Sequence, residues 1–218
     1  MTDTGAAATA EPSLSERSDG ARRRLEPDER REQILQCAIE MFGERPYAAV
    51  STADLASRAG VARGLINHYF GTKRDLYLAV VRRMVTLPPD AARPAFTGTI
   101  RERADLSVRW LLDMLVEHGA TWVAVVGAEG IGDDPELQRI LDEADDSAAE
   151  WVLRGVGAAH DSEAMRAVVR SYGAMVKYAG REWIRRNSLT RHQVEVLLVE
   201  SLIALAENVV PQVGDQRA

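Results

Sequence analysis

The chain lacks most of what reactive, exported or membrane-bound proteins carry. Its 218 residues include one cysteine, Cys37, so no internal disulfide can form and a reducing, cytosolic setting is expected. There is no signal-peptide pattern and no long uncharged apolar run, which leaves secretion and membrane spanning without support. The four histidines, His68, His118, His160 and His192, lie far apart and never adopt a His-x-x-x-His or Glu-x-x-His spacing. No glycine-rich loop precedes a Lys-Ser or Lys-Thr pair. Asp133-Asp134 and Asp145-Asp146 stand where a helix start and a solvated helix face are expected. Neither a metal nor a cofactor is expected, and an enzyme would need distant residues to converge in the fold.

What is present is a charge asymmetry. The net charge of -6 conceals a basic segment. From Arg22 to Arg83 there are 12 Lys and Arg against 8 Asp and Glu, a balance of +4. From Met84 onward there are 14 against 21, a balance of -7. A local basic excess is the footprint of a phosphate-binding surface.

That segment contains STADLASRAGVARGLINHYFGTK, residues Ser51 to Lys73. Ser51 with Asp54, and Thr72 with Asp75, have the spacing of capping boxes, in which each side chain satisfies the other's backbone N–H. Gly60 follows Ala59 where a helix end favours a residue that tolerates positive φ. Leu55 and Ala59 share one helical face, and Ile66 and Phe70 share another. If those faces close on each other, the second helix presents Arg63, Gly64, Asn67, His68 and Tyr69 outward. Two helices joined by a short glycine turn, the second one exposed, form a helix-turn-helix that enters the DNA major groove.

From about Glu29 to Met84 the chain resembles the TetR family of bacterial transcriptional regulators. The resemblance rests on Ala38-x-x-x-Phe42, on Ser51-x-x-x-Leu55-Ala56-x-x-Ala59-Gly60-Val61 and on Tyr69-Phe70-x-Thr72-Lys73-x-x-Leu76. Two positions depart from it. Ala62 stands where the family often has Ser or Thr, which leaves the recognition helix without a side-chain cap. Asn67 stands where Tyr is usual, and Asn can bond adenine in bidentate fashion, which points to an operator of different sequence.

The rest of the chain reads as helix throughout. Met1 to Gly20 has no periodicity and is expected to be disordered. Arg22-Arg23-Arg24 is either an arm reaching DNA or a solubilising charge run. Pro27 opens a first helix bearing Ile34, Leu35, Ala38, Met41 and Phe42. A helix from Lys73 to about Leu87 carries Leu76, Tyr77, Val80, Val81 and Met84 inward and is stopped by Pro88-Pro89. Leu106, Trp110, Leu111, Met114 and Leu115 mark another helix. The apolar run Ala120 to Ala128 is expected to be a separate short helix. Leu137, Ile140, Leu141, Ala144 and Ala148 mark a further one from Asp134-Pro135. A long helix runs from Asp161 or Ser162 to about Asn187. Thr190 with Gln193 caps the last.

The last helix carries two apolar stripes at about 100° per residue. Val194, Leu197, Leu198, Leu202, Leu205 and Val209 form one, and Val196, Val199, Ile203 and Val210 form the other. Two stripes imply two buried faces. The second faces either a partner chain or another element of the same chain. The resemblance implies the partner, because the family dimerises through its last two helices.

The expected architecture is all-α with about nine helices. Residues 1–26 form a tail, 27–87 a three-helix helix-turn-helix DNA-binding domain with its linking helix, 88–210 a helical ligand-binding and dimerisation domain, and 211–218 a second tail. The resemblance implies a homodimeric repressor on a near-palindromic operator of double-stranded DNA, released by a small-molecule effector. Arg63 and Asn67 are assigned to base edges, Gly64 to close approach and Leu65 to a thymine methyl. Ser51, Thr52, His68, Tyr69 and Lys73 are assigned mainly to phosphates. An apolar or aromatic effector would be lined by Trp110, Met114, His118, Trp122, Tyr172, Met175 and Trp183, though each of these could equally fill the core.

Overall fold

The computed structural model describes residues 26–89, 92–126, 132–158 and 162–214. The expected N-terminal disorder, the Arg22–Arg24 arm and His160 lie outside these. Among the described residues there are helices and no strands.

Helix α1, Pro27–Glu44, begins at Glu26, whose N–H donates to the Glu29 carboxylate at 3.2 Å, with Pro27 in its first turn. It buries Ile34, Leu35, Ala38, Ile39, Met41 and Phe42. A 3₁₀ turn at Tyr47–Ala49 leads to α2, Thr52–Ala59, and α3, Arg63–Phe70. Helix α4, Lys73–Val85, stops short of the expected Leu87, with Thr86 extended. Pro88 has no N–H to continue the ladder and its ring disfavours a helical Leu87. Leu55, Ile66, Phe70, Leu76 and Val80 close these helices on α1. That core runs on into Val125, Leu137 and Ile140, which belong to the helices beyond.

Helix α5, Ile100–Val126, joins the two expected helices into one path. It bends at His118, whose backbone leaves the helical region (φ -133°, ψ 21°). Just after the bend, Gly119 lets α7 approach: a Cβ there would sit 2.5 Å from the Ile184 side chain. Helix α6, Pro135–Val156, α7, Glu163–Ile184, and α8, Arg191–Ala204, complete the body. A π-helical turn at Leu205–Val209 and a short α9, Val210–Gly214, continue α8. Counting that continuation as one, eight helical paths stand among the described residues, against about nine expected. The difference is α5, counted as one path although the kink at His118 divides it where the two expected helices meet.

Two apolar stripes are corrected by the fold. Val199, Ile203 and Val210, expected to face a partner, are buried within their own chain, and Val196 alone of that set is exposed. Leu197 and Val209, expected inward, are exposed. Helix α8 packs against both α5 and α7, so its own chain takes a wider arc than one stripe. The π turn then adds a residue to the helical phase, which turns Val209 out and Val210 in. On α5, Leu106 and Met114 point to solvent while Ala104 and Ser107 are buried. Neighbours on several sides choose that inward face, which holds Leu112 and Leu115 as well as the small Ala104 and Ser107.

Candidate nucleic-acid interface and cavity

The turn between α2 and α3 is built from backbone hydrogen bonds. Gly60 adopts φ 64°, and the N–H of Val61 donates to the Ala56 carbonyl at 3.0 Å while that of Gly60 donates to Ser57 at 3.2 Å. This pairing terminates a helix and needs a left-handed residue. Gln33 of α1 adds a side-chain N–H to the Ala59 carbonyl at 3.2 Å. Arg58 of α2 grips Glu44 of α1 through two hydrogen bonds of 2.6 and 2.7 Å and reaches Glu40 at 3.1 Å. The angle at which α2 presents α3 is therefore held from the C-terminal end of α2.

Both expected capping boxes form. Ser51 Oγ accepts from the Asp54 N–H at 3.0 Å, and Asp54 accepts from the Ser51 N–H at 3.2 Å. Thr72 and Asp75 do the same at 3.1 and 3.0 Å. These hydrogen bonds hold both aspartates below the usual carboxylate range. Helix α3 starts at Ala62 with no side-chain cap, which leaves its first N–H groups open.

On α3, Arg63, Gly64, Asn67 and His68 are exposed, Leu65 and Tyr69 are half-buried, and Ile66 and Phe70 are buried. His68 rests edge-on against the Tyr69 ring, 5.1 Å between centroids. Arg63 makes no ion pair among the described residues. That separates it from most of its neighbours. Arg58, Arg74, Arg82 and Arg83 are engaged by Glu40 and Glu44, Asp134, Glu136 and Glu32. Arg31 lies over the Phe70 ring at 4.8 Å. Much of the basic excess thus serves the fold, and Arg63 stands free on the outer face.

Lys73 is placed where the sequence offered no signal. Its ammonium donates to the carbonyls of Tyr47 at 2.9 Å and Val50 at 2.8 Å, and lies 4.0 Å from the Tyr47 ring centroid. Tyr47 packs on Tyr77 and Phe42. Two of the three ammonium donors therefore fix the segment that delivers Ser51 to the start of α2.

Behind this unit lies a cavity of about 160 Å³ among α4 to α8. Of the seven residues expected to line it, Trp110, Trp122 and Tyr172 do so. Met114 is exposed, and Met175 packs in the α5–α7–α8 core. His118 and Trp183 line a separate groove against α1. The bend at His118 turns that residue away from the cavity. Trp151 was missed, although it continues the Leu137–Ala148 spacing on α6; it stacks at a tilt 5.5 Å from Trp110. Val85 and Leu87, from the end of α4 and just beyond, form part of the wall. The lining is mainly apolar. Tyr172 donates to the Leu198 carbonyl at 2.9 Å, and burial raises its pKa. Asp145 and Lys177 pair at 2.6 Å at the cavity's edge.

Among the described residues no group of three or more His, Cys, Asp or Glu side chains could hold a metal, and no helix is long and apolar enough to cross a membrane. Cys37 is half-buried, and burial pushes its thiol pKa up, which suits a packing residue more than a reactive one.

Residues 34–80 match the family described as bacterial regulatory proteins, tetR family. Over 186 residues the chain is 29% identical to the HTH-type transcriptional activator FasR of Mycolicibacterium smegmatis, covering 82% of this chain and 84% of that protein. A tetR-family transcriptional regulator from Streptomyces coelicolor has the same fold, with a TM-score of 0.71 at 23% identity over 87% of each chain. So does the regulator FadR from Bacillus subtilis in complex with stearoyl-CoA, with a TM-score of 0.60 at 18% identity over 81% of this chain and 97% of that one.

Proposed function

We propose, for a chain that belongs to the TetR family of bacterial transcriptional regulators, that it works as a homodimer on a near-palindromic duplex and is released by a small apolar or aromatic ligand. The observation that carries the reading is the outer face of α3. Arg63, Gly64, Asn67 and His68 are exposed there together, on a helix whose pose is fixed by hydrogen bonds behind it. Arg63 and Asn67 take base edges, the pairings that their forked and bidentate groups favour. Gly64 lets the helix approach and Leu65 meets a thymine methyl. Ser51, Thr52, His68 and Tyr69 take phosphates, with the remaining Lys73 donor.

One recognition helix spans a few base pairs, so specificity requires two related by dimer symmetry. The surface offered to a partner is the solvent side of α7 and α8, where Tyr178 is 68% exposed and Val196 48%, with Leu197 beside it. Release is supported by Val85 and Leu87. A ligand touching that stretch senses the position of α4, and it shifts the dimer only so far as it prefers one position over the other. About 160 Å³ suits a benzene-sized body. A stearoyl-CoA such as the Bacillus neighbour holds would require the cavity to widen.

Activation is a second reading, favoured by the name of the Mycolicibacterium relative. Transcription in vitro from the bound promoter, with and without protein, separates it from repression. The test of the main reading is selection of bound sequences from a random duplex pool at moderate and high salt. One palindromic motif, lost at high salt, is expected; no enriched motif at either salt would overturn the assignment of α3.

A further inference from the structure

The cavity adjoins a second chamber of about 30 Å³, and the two share Ser107, Trp151, Val152 and Leu202. The second chamber's walls are apolar, Phe96, Ile100 and Val156 among them, apart from Ser107 and one cation, Arg103. Arg103 Nε is shut away from solvent and makes no hydrogen bond, and its guanidinium forms no ion pair among the described residues. Helix α6 ends beside it at Gly157. The carbonyl dipoles of a helix C-terminus favour a cation, yet none accepts from Nε. Burying a charged group's donor without an acceptor is costly, and an anion that accepts from it offsets that cost.

The other cations at the cavity are already engaged. Lys177 holds Asp145 at 2.6 Å, and Arg170 holds Asp146 at 2.6 Å as well as Glu163. An anionic ligand there would first have to break a pair. At Arg103 it would complete one. A guanidinium also matches the planar, two-pronged acceptor of a carboxylate better than an ammonium does.

We propose that the effector is a monocarboxylate with a benzene-sized apolar body, the body lying among Trp110, Trp122 and Trp151 and the carboxylate on Arg103. This rests on the reading of the cavity as a ligand site. It adds the charge of the ligand, the residue that selects it and the end of the cavity at which the head group sits. A neutral aromatic of the same shape fills the main chamber and leaves Arg103 as it was.

Calorimetric titration of the full chain at pH 7 with phenylacetate and with 2-phenylacetamide tests the proposal. The unsubstituted protein is expected to prefer the acid on the order of tenfold, the scale of one charge-assisted hydrogen-bonded pair. Arg103→Met should erase the preference and keep affinity for the amide; Arg103→Lys should keep part of it. Equal binding of both compounds, binding of neither, a preference that survives Arg103→Met, or one lost in Lys177→Met instead would each overturn the proposal. If Arg103→Met melts early, Arg103→Lys decides by whether the preference weakens. Duplex affinity with each compound present separates this idea from ligand release. Arg103-dependent binding that leaves duplex affinity unchanged would sink release and keep the carboxylate site. Release by the amide with no preference for the acid would do the reverse.

Discussion

At the scale of single residues, Arg63 and Lys73 are placed differently. Arg63 is exposed and without an ion pair among the described residues. Arg63→Ala is therefore expected to cost about 1–3 kcal/mol at one base pair of the operator and to relax the preference there; affinities for a set of singly substituted duplexes would show it. Lys73 looks equivalent in sequence, a basic residue at a helix start beside the reading unit. In the fold its ammonium is hydrogen-bonded to the Tyr47 and Val50 carbonyls. Lys73→Met should lower stability by about 1–3 kcal/mol, the loss of charged hydrogen bonds, and weaken every duplex alike. With its third donor assigned to a phosphate, Lys73→Met should also lower the slope of log affinity against log salt by about one; an unchanged slope would reduce Lys73 to a positioning residue. No sequence pattern tells these two cations apart, because the difference lies in carbonyls more than twenty positions away.

At the scale of elements, α4 is both the last helix of the DNA-binding unit and part of the cavity wall. It is tied to the start of α6. Arg74 donates to both oxygens of Asp134 at 2.6 and 2.8 Å, and Arg82 pairs with Glu136. Asp134 also caps α6, accepting from the N–H groups of Glu136 and Leu137. Arg74 first, and the cap bonds after it, bring its carboxyl from an ordinary 3.8 down to about 2. The folded protein thus holds the carboxylate more firmly than the unfolded chain does. That contribution is complete above about pH 4 and is lost as pH falls towards 2. Asp134→Asn keeps a capping oxygen and removes the charge, so its melting temperature should approach that of the unsubstituted protein as pH drops through that window, with the gap widest at neutral pH. Thermal melts from pH 2 to pH 7 would measure it. The sequence located Asp134 as a helix start; that its second oxygen reaches back to α4 came only with the fold.

At the scale of the whole molecule, the proposed function requires two copies whose recognition helices are set by a two-fold axis. The solvent side of α7 and α8, where Tyr178, Val196 and Leu197 are exposed, is the surface proposed for that contact. Leu197→Glu together with Tyr178→Glu places like charges on a surface that would meet its own copy across the axis, and should shift the protein to monomer in sedimentation while leaving its helix content intact. Operator affinity should then fall steeply, because one half-site is left to bind alone. A dimer that persists through both substitutions would move the interface elsewhere on the molecule.

The sequence by itself determined the reading unit, because every signal there is local. Capping boxes, the glycine turn and the spacing of Leu55, Ile66 and Phe70 each act within a few residues. Residues 51–73 therefore fold as their pattern predicts. The all-helical class was legible for the same reason. The tertiary structure decided which arc of α8 meets its own chain, whether α5 breaks or bends, and which aromatics surround the cavity. It also decided that Arg103 is left with a buried N–H and no acceptor. Those outcomes depend on which helices pack where. An amphipathic pattern tells a helix to bury a face, but the neighbours, and a single π turn that shifts the phase after Ala204, settle how wide that face is and where it points.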